Sequence, residues 1–501
     1  MGKRRKKVTR RLYEEKRGET LMNKQKETNR EGWSSNIGFV LAAAGSAIGL
    51  GNLWKFPYLV GKNGGGAFVF IYLIVLVVLG FSLTLGEIAI GRKGKLDAFG
   101  SYNKIKKGWG FIGLIGIACC FLIYSYYVVI VGWIIKYLVI YLQGGVGKDP
   151  AQVFESFISS TTPPIYYTAV ALLLTSMIVF KGVSKGIEKA SKIMMPGLFI
   201  FMIIILFRVL TLPGSFEGVK YFLKPEFELI TPKVIIAAVG QVFFSLSLGM
   251  GIIITYGSYL SKGENIIKDS LIIPVLDTIV ALLSGLIILP AVFAFGLEPS
   301  AGPGLIFITL PKVFDAMKFG GVFGVIFFIL VFFAALSTTI SLMEVLVTFT
   351  VDQGSLKREN SVVFLSIIVM VIAAFTSLSF GSLSELKIFI GMNFFDFLGY
   401  LTDNILLPLS GLLLCIFIGY IWKKDEIEKE VTSGGDIKFT LFETWFYGVR
   451  YLGVLLLSLI LLQSLGFEGK VVWYVLAVVL ILQIIFEVLE KQGKLDFFKS
   501  K

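Results

Sequence analysis

Apolar residues run along this chain in long stretches separated by short polar or basic connections. The stretches cover roughly residues 36–60, 66–91, 110–142, 164–181, 190–211, 232–260, 270–297, 319–350, 360–380, 390–422, 439–465 and 469–490. A helix rises about 1.5 Å per residue, so each stretch is long enough to cross about 30 Å of hydrocarbon. The pattern predicts an all-α membrane protein with twelve transmembrane helices.

Two of the stretches are interrupted. In the first, the apolar run Ala42–Ala47 meets Gly49-Leu50-Gly51 and continues through Asn52, Trp54, Lys55 and Pro57. In the sixth, Ser245, Ser247, Gly249 and Gly251 fall in the middle of residues 240–259. Non-helical backbone at membrane depth survives only where protein or a water-filled cavity surrounds it. There it offers carbonyls and amides to small ions and zwitterions. The interruptions lie five spans apart, and a repeat of five crossings is inverted in the membrane. Paired Gly-broken segments in two halves point to a transporter binding site.

Charge supports the same topology. Only 16% of residues are charged, against about 25% in soluble proteins. The net charge of +13 sits largely in the N-terminal tail, with twelve Lys/Arg in residues 1–31, and in alternate loops. Loops 92–109 and 181–192 are basic, whereas 143–163 and 381–389 carry one lysine each, Lys148 and Lys387, beside acids. The positive-inside rule then places both termini in the cytoplasm of a multi-pass cell-membrane protein, and explains the basic excess better than nucleic-acid binding does. Histidine is absent, which removes imidazole as base, metal ligand and pH switch. Cys119, Cys120 and Cys415 lie inside apolar stretches and suggest neither a disulfide framework nor a zinc site. With no thiolate setting and no paired acids either, an enzyme is disfavoured.

Two further polar features stand out. Asp277 is alone in IIPVLDTIVALLSGLIILP, and Ser337-Thr338-Thr339 interrupts the eighth stretch. An acid inside a membrane span is costly and marks function by default. Three mid-span hydroxyls either bond back to their own helix, pack two helices together or face a ligand.

Several long motifs carry a resemblance. They are Gly45-Ser46-Ala47-Ile48-Gly49-Leu50-Gly51-Asn52-Leu53-Trp54-Lys55-Phe56-Pro57, Asn63-Gly64-Gly65-Gly66-Ala67-Phe68, Glu87 with Gly91-Arg92, Tyr126-Tyr127, Ser184 to Lys189, the sixth span and Ser337-Thr338-Thr339. Over about residues 30–420 the chain resembles the neurotransmitter:sodium symporter family, most closely its prokaryotic amino-acid carriers. The resemblance implies a LeuT-like 5+5 inverted repeat with unwound helices 1 and 6. Residues 32–211 and 232–422 would form the two repeats, 439–490 two peripheral helices, and 1–31 and 491–501 cytoplasmic tails.

It also implies roles for residues. One Na⁺ would be held by carbonyls of Gly45, Ile48 and Ala334 and hydroxyls of Ser337 and Thr338. A second would be held by Ala47, Asn52, Ser245 and Asp277 with the substrate carboxylate. Many family members have an amide at the Asp277 position and a chloride nearby; a fixed carboxylate here, with Ala281 one turn on, implies transport without chloride. The substrate, a hydrophobic L-amino acid, would meet Ala47, Gly51, Tyr127, Ser245, Ser247, Thr338 and backbone near Leu50 and Phe244 with its zwitterionic end, and Leu50, Ile123, Phe244, Met250 and Leu342 with its side chain. Phe244 over Tyr127 would form an aromatic lid. Lys55 would pair with Asp396, or else Asp403, as an outer gate; Arg30, Trp33, Ser258, Tyr259 and Asp352 would form the inner one. Glu87 and Gln241 would brace the broken segments. The partners implied are the amino acid, sodium and the bilayer, with a homodimer left open. The alternatives are a proton-coupled or sodium-independent carrier of the same fold, or an amino-acid sensor that does not transport.

Overall fold

The computed structural model describes residues 31–297, 304–389, 391–467 and 469–492, without the side chains of residues 473 and 491. Arg30 and both expected tails beyond these limits lie outside the described residues. Among the described residues the regular structure is helical. Ten helices are long and apolar enough to cross a membrane, and a bent pair adds an eleventh crossing. The bent pair is α1 (Asn36–Ala47) and α2 (Gly51–Lys62), set at 50° to each other. Then follow α3 (Gly66–Gly94), α4 (Gly110–Leu142), α5 (Thr162–Phe180) and α6 (Val183–Leu210).

The sixth expected span is two shorter helices, α7 (Pro232–Ser245) and α8 (Ile252–Ser258), joined by unwound chain. Neither is long enough to cross by itself, so a count by length and composition stops at eleven rather than twelve. The remainder are α9 (Ile266–Ala294), α10 (Gly320–Gly354), α11 (Arg358–Leu378), α12 (Phe394–Ile421), α13 (Phe442–Ser464) and α14 (Lys470–Glu490).

The two longest helices, α4 and α10, pack against each other at the centre, with α5 and α11 paired beside them. These are the third and eighth, and the fourth and ninth, of the expected spans. Equivalent members of the two five-helix sets therefore contact one another, as an inverted repeat requires. The broken pairs lie against this core with α3 and α9. α13 and α14 pack mainly on α12 and on each other, and α14 is largely exposed.

Interrupting a helix in a membrane leaves backbone groups that must find partners. At the first break the Asn52 carboxamide oxygen accepts from Gly49 N (3.2 Å) and Tyr127 Oη accepts from Leu50 N (3.1 Å). Gln241 Nε2 donates to the Gly51 carbonyl (3.0 Å). At the second, Glu87 Oε1 accepts from Gly249 N (2.8 Å). Ser247, Gly249 and Gly251 have φ of 54°, 77° and 75°. Glycine takes this left-handed region freely, so the two glycines let the chain reverse its helical course.

Glycine also sets how closely α3 approaches α8. A Cβ on Gly91 would collide with the Ile254 carbonyl oxygen, and one on Gly257 would lie 2.9 Å from the Ile88 carbonyl oxygen. Backbone therefore rests on backbone. Gly91→Ala should cost about 1–3 kcal/mol by overpacking. A lowered melting temperature of the purified protein checks this, and an unchanged one refutes the contact.

Candidate functional site

The two breaks face each other at the centre and enclose one cavity. Its wall includes Ala47, Leu50, Gly51, Ile123, Tyr127, Phe244, Ser247, Met250, Thr338 and Leu342, together with Ser46 and Gly49. Ten of the eleven residues expected to touch a substrate thus share one surface. The eleventh, Ser245, is not on that wall; its hydroxyl turns away and donates to Asp277 Oδ2 (2.8 Å). The polar part lies around Gly49, where a Cβ would stand 2.7 Å from Thr338 Oγ1 and 2.9 Å from Tyr127 Oη. Ile123, Met250, Leu342 and Phe244 supply an apolar part. The free volume is about 20 Å³, little more than a water needs. Larger solutes require Phe244 or the pliable Met250 to move aside.

Oxygen atoms converge at two places beside this cavity. At the first, Ser337 Oγ donates to the carbonyls of Gly45 (2.7 Å) and Ala334 (2.9 Å). Thr338 Oγ1 lies 3.2 Å from the Ala334 carbonyl and 3.4 Å from that of Ser46. Two of the three readings of these hydroxyls therefore hold at once: they bond back to their own helix and join it to α1. Ile48 is fully buried at the adjoining break. Thr339 faces elsewhere, 2.9 Å from Thr175 Oγ1.

At the second place the fully buried Asp277 carboxylate accepts from Asn52 Nδ2 (2.8 Å) and Ser245 Oγ (2.8 Å). Asn52 Nδ2 also reaches the Asp277 carbonyl (3.1 Å). Tyr72 Oη stands 3.5 Å from the same carboxylate, a neighbour that sequence reasoning missed. A tyrosine in an apolar helix carries no signal of where its hydroxyl points. The first cluster presents only oxygens, and at the second the carboxylate and Ser245 oxygens are joined by the Asn52 amide nitrogen, which would have to turn its oxygen inward to serve a hard cation.

One side of the cavity is covered by Phe244. The Lys55 ammonium sits 3.9 Å above its ring and forms an ion pair with Asp403 (3.0 Å). The expected partner Asp396 is a correction: it lies in the exposed first turn of α12, where its amide is capped by Asn393. Asp403 lies about two helical turns deeper, level with Lys55. Beyond Phe244 a chamber of about 270 Å³ is lined by Lys55, Asp403 and Gln241 among others. Phe244 thus separates an outer chamber from the central cavity.

The opposite side is closed by aromatic packing and a polar network. Trp33 Nε1 donates to the Tyr256 carbonyl (3.0 Å), and its ring meets those of Tyr256 and Tyr259 edge-on. Tyr259 Oη donates to Glu344 Oε1 (2.7 Å) and lies 2.7 Å from Thr348 Oγ1. Glu344 is ion-paired with Arg358, which also donates to the Val179 carbonyl (2.9 Å). Asp352 accepts from the Asp97 amide (2.7 Å). The expected Ser258 donates locally to Thr255 (2.6 Å). Glu344 was not anticipated, although it is as isolated in its apolar stretch as Asp277 and carried the same signal.

Interrupted helices around a central cavity that is covered from both sides, in a membrane-spanning inverted repeat, define a secondary transporter rather than an enzyme. The chain belongs to the sodium:neurotransmitter symporter family, whose sequence profile matches residues 30–148 and 155–489. The sodium-dependent transporter YhdH of Bacillus subtilis (strain 168) is 41% identical over 441 residues, covering 87% of this chain and 97% of that protein. The sodium-dependent neutral amino acid transporter B(0)AT2 of Bos taurus is 31% identical over 308 residues, covering 55% of this chain and 42% of its own. Among solved structures, that of MhsT in complex with L-phenylalanine superposes with a TM-score of 0.81 at 40% identity, over 87% of this chain and all of the other. Sodium is accordingly the coupling ion of the family to which this protein belongs.

The Lys55–Asp403 pair is 29% exposed at each side chain, and such pairs contribute up to about 1 kcal/mol. Asp403→Asn should lower uptake about fivefold, the factor that ~1 kcal/mol represents, and Asp396→Asn should leave it unchanged. Initial rates of labelled-substrate uptake in the two variants check the assignment, and the reverse pattern would restore Asp396 to the gate.

Proposed function

We propose that this protein carries a hydrophobic L-amino acid into the cell together with Na⁺, by alternating access and without chloride. The observation that carries the reading is the meeting of broken-helix backbone with Tyr127, Ser337-Thr338 and Asp277 around one cavity. MhsT, solved with L-phenylalanine, and B(0)AT2, a neutral amino acid transporter, support the substrate class.

The roles follow from the chemistry. Tyr127 Oη accepts from the Leu50 amide, which leaves its own proton to donate to a substrate carboxylate beside the amides near Leu50 and Gly51. The ammonium meets carbonyls near Ala47, Phe244 and Ser247 and the hydroxyl of Thr338. Ile123, Met250, Leu342 and Phe244 take the side chain. One sodium uses Gly45, Ile48, Ala334, Ser337 and Thr338, whose hydroxyl protons must turn away to free the oxygens. The other uses Ala47, Asn52, Ser245 and Asp277. The Asp277 carboxylate supplies a fixed negative charge where a bound anion would otherwise be needed. With both termini cytoplasmic, each Na⁺ entering down 100 mV contributes about 2.3 kcal/mol, or roughly fortyfold accumulation.

The test is uptake of labelled L-phenylalanine into proteoliposomes. An inward sodium gradient should drive it, and replacing chloride by gluconate should leave it intact. Uptake driven equally well by a proton gradient, or lost without chloride, would defeat the reading, as would glycine or polar amino acids out-competing phenylalanine, leucine and methionine.

Two substitutions separate the roles. Tyr127→Phe should raise the apparent KM for amino acid about tenfold, as losing a hydrogen bond to a charged group does. Ser337→Ala should instead raise the sodium concentration for half-maximal uptake. Sodium and substrate titrations of the two variants check this, and a common effect on both would merge the two sites.

A further inference from the structure

The surface away from the transport site carries a concave slot between α5 and α11, with a volume of about 820 Å³. Its lining is almost wholly apolar, with Leu173, Met177 and Ile367 exposed along it. The hydroxyls of Ser176 and Ser366 also belong to it, but they lie 2.9 Å from each other and each bonds a carbonyl of its own helix, at 2.7 and 2.6 Å. The slot therefore offers contact surface rather than open polar groups.

Its length and its charge say what fits. Along α5 it runs from Ala169 to Lys181, about 18 Å at helical rise. That is close to one leaflet, half of the ~30 Å hydrocarbon thickness. Lys181 is exposed at one end, and among the described residues no acidic side chain lines the slot. Arg358 donates to the Val179 carbonyl, which puts the start of α11 beside the end of α5 and brings the exposed Lys357 to the same edge. Arg358 itself is committed to Glu344, and Glu359 beyond it is exposed. Lys185 and Lys189 follow in the first turns of α6, on the basic side that the positive-inside rule places in the cytoplasm.

We propose that this slot holds one acyl chain of an anionic phospholipid of the cytoplasmic leaflet, with its phosphate at Lys181 and Lys357. Such a lipid seals the seam between α5 and α11, two helices of the core on which the broken segments rest. Each lysine near an anionic headgroup is expected to favour it about fivefold.

The test is native mass spectrometry of the full chain, delipidated and then offered phosphatidylglycerol or phosphatidylcholine with matched acyl chains. Wild type should retain phosphatidylglycerol at least about fivefold better. The double variant Lys181→Gln, Lys357→Gln should lose the preference, and Lys181→Arg with Lys357→Arg should keep it. Ile367→Trp, which fills the slot, should reduce retention of both lipids. Equal retention of the two lipids by wild type, or an undiminished preference in the glutamine variant, overturns the proposal. Loss of a dimer mass in Ile367→Trp, with lipid retention unchanged, would assign the slot to a second copy instead.

Discussion

Every backbone amide and carbonyl inside a bilayer needs a partner, and this protein breaks two helices where water cannot supply one. The structure satisfies that demand with side chains from other helices. Asn52 closes the first break on itself, Tyr127 reaches it from α4, and Gln241 from α7. Glu87 from α3 holds the second. The breaks and their braces are therefore one unit. Removing a brace leaves a buried donor or acceptor unpaired, at about 1–3 kcal/mol, and at the same time loosens the cavity that the breaks enclose.

The same logic governs the buried charges. Asp277, Glu344 and Glu188 are fully or almost fully buried, and each is met by several donors. Asp277 sits beside the central cavity, whereas Glu344 and Glu188 tie helices together on the side closed by Trp33. Glu188 binds Ser34, Ser35 and Lys192, and so fixes the start of α1 against α6. Asp277 and Glu87 thus serve the centre of the fold, whereas Glu344 and Glu188 hold one closed face together.

Much of this was legible in the sequence because membranes permit few solutions. The ends of α4 at Gly110 and Leu142 match the apolar run residue for residue. The glycine-marked breaks and the lone Asp277 also stood out against an apolar background. Partners set by helix rotation were not legible. Asp396 and Asp403 lie on the same helix, and only its three-dimensional course decides which meets Lys55. Tyr72 and the Tyr259–Glu344–Arg358 network depend on packing between distant segments. Ser245 shows the finer limit: it was expected both at the cavity and beside Asp277, and only the packing gives its hydroxyl to Asp277.

The glycine contact between α3 and α8 has a mechanical meaning. Side chains between two helices act as a compliant layer, because rotamers can change while the helices slide. At Gly91 and Gly257 that layer is missing, and the peptide planes of one helix bear directly on those of the other. Movement of one against the other has no rotamer to absorb it, which favours α3 and α8 travelling as a pair. A displacement at the second break would thereby reach the Arg92 end of α3. There Arg92 bonds Glu430 and the carbonyl of Glu264, far from any solute that set it moving.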